Sequence, residues 1–490
     1  MKISPADIPH EVLAVAQTLE QNDFEAYLVG GCTRDLLLGI TPKDWDFTTN
    51  AHPEDIQKLF PEHYFNNDFG TVGIKTDSED EATKIIEVTP YRSEGTYSDA
   101  RRPDQVTFGV SLKEDLQRRD FTVNALAYRI TTDELIDEYG GLTDLRAKRL
   151  KTVGDPDERF TEDALRIMRA IRLAAQLDFM IEATTMAAIT QHSKQIKRIS
   201  VERAAGEWLK ILQTATPMQG MILLEKLGIL EQFLPEFLPA IGCEQGGIHA
   251  FDVYEHLLRT LQAAADKDFS LAMRIAALFH DIGKPKTRRT GGKNKKYSFF
   301  GHEVVGARMT EAILERLKLP RDLIDEVTAL VRWHMFFSDP DEITLSAVRR
   351  TITRIGEENI DNLLNLRVCD RIGTGRPKEQ PFRFRKYKAM VDEALRDPIS
   401  VKLLKVNGDR IMELSGEKPG RKLGYVLHAL LEEALEDATV NTAQYMEKKA
   451  LALLALPEEE LKILAEAGKV KQAAEEALAL KDIAREHNVG

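Results

Sequence analysis

Strand-like patterning is confined to the first third of the chain. The segments EAYLVGG, DWDFTT, GTVGIKT, TKIIEVTPYR and LAYRITT read as strands, with glycine, Asp and Asn marking the turns between them. After Thr152 that signal fades, and stretches such as EDALRIMRAIRLAAQL and AMVDEALRDPISVKLL carry apolar residues at helical intervals. The pattern predicts an α+β head up to about residue 150 and a remainder that is almost entirely helical. At 490 residues, 43% of them hydrophobic, the chain is too long for one core and should divide into roughly three or four domains. Joints are expected near Gly154-Asp155-Pro156, at Gly246-Gly247 and between Gly373 and Pro381.

Composition narrows the function classes. No run of about 18 apolar residues occurs, and MKISPADIPHEVL lacks the charged-then-apolar pattern of a secretory signal, so a cytoplasmic protein without a membrane span is expected. Cys32, Cys243 and Cys369 share no pairing or zinc spacing, which suits a reducing compartment. A formal charge of −12 argues against a protein that coats nucleic acid through a global positive field. Local recognition is open to the basic clusters Lys284 to Lys296 and Arg376 to Lys388, each equally readable as a solvated loop.

The string YLVGGCTRDLLLGITPKDWDFTTN runs an apolar strand into a Gly-Gly turn, then a short helix, then two aspartates one residue apart. On a strand, Asp44 and Asp46 share one face while Trp45 and Phe47 take the other. Such a dianionic pair suits magnesium, a hard cation held by one or two carboxylates plus substrate phosphates. Gly30 and Gly31 let the backbone approach a triphosphate, the helix beginning near Cys32 offers free N–H groups, and Arg34 adds charge. Each feature alone is common on surfaces; the ordered combination is far more specific. The string resembles the signature of the nucleotidyltransferase superfamily, in its class II branch of tRNA nucleotidyltransferases and bacterial poly(A) polymerases. Cys32-Thr33 stand where that family usually has a small residue and Val.

Further strings extend the resemblance. RRDFTVNALAY is similar to the family's RRDxTxNA motif, which implies contacts from Arg119, Asp120 and Asn124 to the ribose and phosphates of a nucleotide. Tyr91 to Gly109, rich in charge and turn formers, resembles the loop that accompanies the family's switch from C to A addition. Its Arg92, Glu94, Asp99 and Arg102 tilt the reading towards A addition, and Glu87 on the preceding strand offers a third metal carboxylate. In TEDALRIMRAIRLAAQLDF, Thr161 reads as an N-cap with Glu162 and Asp163 in the first turn, so that both lie near Arg166 on one helix face. An ion pair is the plain reading. The alternative is base recognition: a carboxylate only accepts and a guanidinium only donates, a pattern that matches cytosine and adenine but not guanine or uracil. EDALRIMRAIR resembles the family's EDxxR template, which implies that Glu162, Asp163 and Arg166 read CTP and ATP; Arg169, in the same string, is grouped with them as nucleotide-binding. The later SVERAAGEWLKIL, with Glu202, Arg203 and Glu207, resembles a helix that supports the neck.

A second constellation follows: His256, His280 with Asp281, His302, His334 and Asp370. Imidazoles and carboxylates without thiolate suit a transition metal such as manganese, nickel or iron, with an Asp bridging two of them. LFHDIGK resembles the core of the HD phosphohydrolase superfamily. That resemblance places His256, His280, Asp281 and Asp370 in the primary pattern, His302 and His334 at a second metal, and Lys284 near a substrate phosphate; His249 receives no role.

Together these resemblances imply a nucleotidyltransferase head with a mixed β-sheet over residues 1–150, a helical neck and body over 151–245, an HD domain over 246–375 and a helical tail over 376–490. They imply template-independent addition of CCA to tRNA 3′ ends from CTP and ATP, with magnesium at Asp44 and Asp46 and an HD-domain phosphohydrolase activity. Addition of A or CC alone, poly(A) synthesis, and a chain that is chiefly an HD phosphohydrolase remain open alternatives.

Overall fold

Short strands, largely buried at the centre of one sheet, organise the N-terminal part of the chain. The computed structural model describes residues 1–66, 70–95, 105–246, 250–290, 296–336, 343–375, 379–396 and 403–465. Asp99, Arg102, Gly247, His249 and parts of both basic clusters lie outside them. The chain divides into two units, Met1–Pro235 and Glu236–Gly490.

In the first unit the strands are β1 (Tyr27–Val29), β2 (Trp45–Thr49), β3 (His63–Asn66), β4 (Thr71–Lys75), β5 (Ile85–Pro90), β6 (Arg92–Glu94), β7 (Val106–Phe108), β8 (Ala127–Arg129) and β9 (Glu134–Ile136). Seven form one sheet in the order β3-β4-β5-β2-β1-β8-β9, while β6 and β7 pair separately. The sheet is mixed: β2 and β5 run parallel with Asp46 opposite Glu87, and the other pairings are antiparallel. Trp45 and Phe47 turn into the core, leaving Asp44 exposed and Asp46 half-buried.

The helices of this unit are α1 (His10–Gln21), α2 (Gly31–Leu38), α3 (Pro53–Leu59), α4 (Leu112–Gln117), α5 (Gly141–Arg146), α6 (Pro156–Glu162), α7 (Leu165–Leu177), α8 (Ala183–His192), α9 (Val201–Leu212), α10 (Pro217–Lys226) and α11 (Leu230–Phe233). α7 buries Leu165, Met168, Ile171 and Ala175, the face its periodicity predicts, and packs on α9 and α10.

The helix start expected at Thr161 is not where the chain turns. Asp155 caps α6, accepting from the backbone N–H of Asp157 (2.8 Å) and Glu158 (3.2 Å), and Thr161 lies inside that helix. The break falls at Asp163, whose extended backbone ends α6 while its carboxylate accepts from Leu165 N (2.9 Å) as α7 begins. Glu162, Asp163 and Arg166 therefore do not share a single helix. Two small pairings also depart from the expected all-helical remainder. β10 (Arg149–Leu150) runs parallel to β11 (Met180–Ile181), and β12 (Arg289–Thr290) pairs with β13 (Tyr297–Ser298).

The second unit is built from α12 (Val253–Asp266), α13 (Leu271–Phe279), α14 (Lys284–Thr287), α15 (His302–Arg316), α16 (Arg321–Trp333), α17 (Leu345–Ile355), α18 (Ile360–Gly373), α19 (Phe382–Ala394), α20 (Gly408–Ser415), α21 (Arg421–Glu436) and α22 (Ala443–Leu454). α12 packs against α13 and α18, and α15 against α16. A separate core gathers Ile411, Val426, Leu430 and Met446 from α20, α21 and α22. None of the helices among the described residues is long and apolar enough to cross a membrane.

Candidate functional site

Gly30 joins β1 to α2 with φ 76° and ψ −133°, a conformation strained for any residue with a side chain. A Cβ placed there would lie 3.5 Å from Arg119 Nη1 and 3.7 Å from Asp46 Oδ2. One placed on Gly31 would lie 3.7 Å from Arg34 Nη2 and 3.9 Å from Asp44 Oδ1. The Gly30–Gly31 turn is thus bordered by both aspartates and two arginines. Burial, then Asp44 and then Glu87, push the Asp46 carboxyl up to about 7, with Arg119 and Arg169 opposing. Oxygen donors with excess negative charge are what a hard divalent cation requires.

Four of the expected nucleotide-binding residues form one chain of contacts. Arg34 is buried, donating from Nη1 to Asn124 Oδ1 (2.7 Å) and from Nε to Asp35 (2.8 Å). Asn124 Nδ2 donates to Asp120 Oδ1 (3.1 Å), and Arg169 donates to Asp120 Oδ2 from Nε at 2.8 Å. Burial would raise the Asp120 carboxyl, yet Arg169 and the Asn124 hydrogen bond hold it well below the usual carboxylate range. Asp120 therefore stays ionised and ties α7 to the segment between α4 and β8.

Around the α6–α7 break, Glu162 accepts from both Arg159 and Arg166. Arg166 is buried and donates further to Arg159 O (3.2 Å) and Arg118 O (3.0 Å). Asp163 pairs with Arg203 on α9 (3.1 Å) rather than with Arg166. Acceptor and guanidinium are thus each held by a different partner. Glu207, on the same helix as Arg203, receives Arg172 Nε at 2.6 Å.

In the second unit the six expected ligands meet. Their donor atoms fall into two groups, His256, His280 and Asp370, and Asp281, His302 and His334, each within 4.8 Å internally and all buried. Asp281 joins them: Oδ2 lies 3.2 Å from His256 Nε2 and 3.3 Å from His280 Nε2, and Oδ1 lies 3.1 Å from His302 Nε2 and 3.5 Å from His334 Nε2. Three rings are aimed inward by Nδ1 contacts to backbone carbonyls, His280 to Ala277 (2.9 Å), His302 to Phe299 (2.8 Å) and His334 to Val331 (2.7 Å). Lys284 Nζ reaches both Asp281 Oδ2 (2.5 Å) and Gln245 Oε1 (2.6 Å). Burial opposes the charge on Asp281, and Lys284 followed by His280 holds its carboxyl well below the ordinary value. Burial, in turn, lowers His334 to about 4, keeping that ring neutral and able to ligate.

Comparison with known proteins meets this geometry from outside. Three family models match: a poly A polymerase head domain over residues 26–151, a probable RNA and SrmB-binding site of polymerase A over 178–241, and an HD domain over 253–372. The CCA-adding enzyme of Ligilactobacillus salivarius is 31% identical over 452 residues, 91% of this chain and 98% of that one. The A-adding tRNA nucleotidyltransferase of Deinococcus radiodurans is 34% identical over 83% of this chain and 91% of its own. This chain belongs to the tRNA nucleotidyltransferase family.

Some family relatives match more closely over less length: with the CCA-adding enzyme of Levilactobacillus brevis, identity is 48% over 224 residues, 46% of this chain and 55% of that enzyme. Among solved family structures, the Bacillus stearothermophilus CCA-adding enzyme in complex with CTP superposes with a TM-score of 0.68 at 27% identity, covering 90% of this chain and 96% of its own.

Sequence reasoning missed Asp115, Arg159, Gln245 and Arg367. Arg367 donates to Asp370 Oδ2 at 2.7 Å. The spacing of Asp115 to Arg118 and Arg119, three and four residues on, was a readable signal of a shared helix face. Gln245 had none, because its contact with Lys284 joins segments distant in sequence.

Proposed function

We propose that this protein adds CCA to tRNA 3′ ends without a nucleic-acid template, by attack of the RNA 3′-hydroxyl on the α-phosphate of CTP or ATP and release of pyrophosphate. The observation that carries this reading is the convergence of Asp44, Asp46 and Arg119 on the Gly30–Gly31 turn. Asp44 and Asp46 would hold magnesium, which when bound supplies positive charge where the transferred phosphate develops negative charge. Gly30 and Gly31 leave room for the phosphates, with Arg119 facing them. Arg34, Asn124, Asp120 and Arg169 brace the wall of the nucleotide pocket.

Base choice follows from donor and acceptor pattern. Asp163 accepts from the amino group of cytosine or adenine and Arg166 donates to the adjacent ring nitrogen; guanine and uracil set a carbonyl against the carboxylate. Glu162 holds Arg166 in place. The neck and tail would grip the A-form acceptor stem through phosphate and 2′-hydroxyl contacts. The exposed Arg383, Arg385, Lys386 and Lys388 of α19 supply suitable charge. We assign the head to residues 1–150, neck and body to 151–245, the HD domain to 246–375 and the tail to 376–490. A cytoplasmic setting suits both a tRNA substrate and the three free, buried cysteines.

The HD cluster supports a second activity, hydrolysis of phosphate esters at RNA ends. His256, His280 and Asp370, with Asp281, His302 and His334, would hold manganese, nickel or iron, which when bound supply Lewis acidity to the ester. The Deinococcus relative favours a narrower reading, A addition alone. One assay separates the readings: tRNAs ending before CCA, after CC and after CCA are offered with labelled CTP or ATP. Two C residues followed by one A are expected. AMP addition to the CC-ending substrate alone would establish A addition, and long A tails would establish polymerase activity.

A further inference from the structure

Asp115 is a fully buried carboxylate on the catalytic side of the head. Ser111 and Glu114 form a capping box that fixes the start of α4, so Asp115 turns inward beside the buried Leu116. Its Oδ1 accepts from Arg118 Nε (3.0 Å) and Nη2 (2.7 Å) and from the backbone N–H of Arg92 (3.4 Å). Its Oδ2 accepts from Arg119 Nη2 (3.2 Å) and Thr48 Oγ1 (3.1 Å). Thr48 follows Asp46 by two residues on β2, so it shares a face with Asp46. Burial pushes the Asp115 carboxyl up, yet Arg119 and Arg118 together hold it below the ordinary carboxylate range.

What Asp115 does to Arg119 is directional. One guanidinium nitrogen is pinned on the carboxylate, and the planar group then has little freedom left. Nη1 faces the Gly30 turn beside Asp46, while Nε is buried without a hydrogen-bond acceptor among the described residues. Nη1 is thus the donor left over at the place where phosphates would lie.

We propose that Asp115 is a positioning residue for nucleotide transfer: anchored to Thr48 of the catalytic strand, it pins Nη2 of Arg119 and aims Nη1 at the phosphates of the incoming nucleotide. This inference rests on the transfer reading above. The test is a double-mutant cycle of Asp115→Asn and Arg119→Ala in the full chain, read by CTP incorporation into tRNA, by calorimetric binding of CTP and by melting temperature. Asp115→Asn is expected to lower kcat/KM for CTP about tenfold, mainly through KM, the scale on which groups that orient a ligand act. In the Arg119→Ala background the same change should cost less than about twofold, because the group it acts through is gone. An equal loss in both backgrounds, or no loss in either, overturns the inference. Should Asp115→Asn fail to fold, Asp115→Glu keeps the charge and moves it; its smaller loss must likewise vanish with Arg119→Ala. A wild-type chain that binds CTP but never incorporates it sinks the transfer reading, while the binding cycle still decides whether Asp115 acts through Arg119.

Discussion

Like charges converge at the head site, and the residue that bears most of the strain is Asp46. It lies opposite Glu87 in the β2–β5 register and close to Asp44 in the bend just before β2, so three carboxylates occupy a small space while Arg119 and Arg169 offset part of the charge. Removing one charge should relieve the folded state and remove its function together. Asp46→Asn is expected to abolish nucleotide transfer, by at least about 10²-fold, the loss seen when a preorganised electrostatic group is removed. In chelator the same variant should be more stable by about 1 kcal/mol, read by denaturant melting. A variant that transfers nucleotide at the wild-type rate would remove Asp46 from the site. The alternation of DWDF made this pair legible, since two residues along a strand return to the same face. Arg34 shows the limit of such reading: spacing places it at the turn, but its commitment to Asn124 and Asp35 depends on a residue ninety positions away.

Elements were legible where their own residues dictate burial. α7 is a continuous amphipathic helix whose apolar face is visible in its period, and the HD ligands stand at helix ends, where His302 opens α15 and His334 follows α16. β3 was not legible. Tyr64 and Phe65 on adjacent positions are 38% and 39% exposed, so neither face of this edge strand alternates cleanly. The α6–α7 break was hidden for another reason: Glu162, Ala164, Leu165 and Arg166 around it are strong helix formers, and the turn at Asp163 is held by contacts from Leu165 N–H and from Arg203 on α9. Caps, by contrast, follow from local chemistry. Glu182 caps α8, accepting from Thr184 Oγ1 (2.6 Å) and Thr185 N (2.9 Å). Against partial burial, these bonds lower its carboxyl from 4.5 to about 2. A depressed carboxylate stabilises the fold above its ordinary pKa and loses that contribution as pH falls through the folded value. Glu182→Gln should therefore cost about 1 kcal/mol at pH 7, and the gap from wild type should close between pH 4.5 and 2. Chemical denaturation across that range checks it; a gap unchanged by acid would show that the carboxylate charge plays no part.

At the scale of the whole molecule, the two candidate sites are built in two separate units. The Gly30–Gly31 site lies within Met1–Pro235 and the histidine cluster within Glu236–Gly490, each on its own buried core. The chain's net charge of −12 means that RNA must be met by local basic surfaces rather than by an overall field. Sites built on different cores, with no shared ligand, should respond to substitution independently. Asp281→Asn removes the carboxylate that joins the two histidine groups and leaves Lys284 without its charged partner. Loss of phosphate-ester hydrolysis is expected, with CTP and ATP incorporation within about twofold of wild type. Asp44→Asn should do the reverse, ending incorporation while hydrolysis of a 2′,3′-cyclic phosphate end proceeds unchanged. The decisive comparison is the double variant, whose two activities should fall by the amounts that each single change produces. If Asp281→Asn alone depresses incorporation in step with hydrolysis, the two sites are coupled, and the HD unit serves the transfer reaction instead of a chemistry of its own.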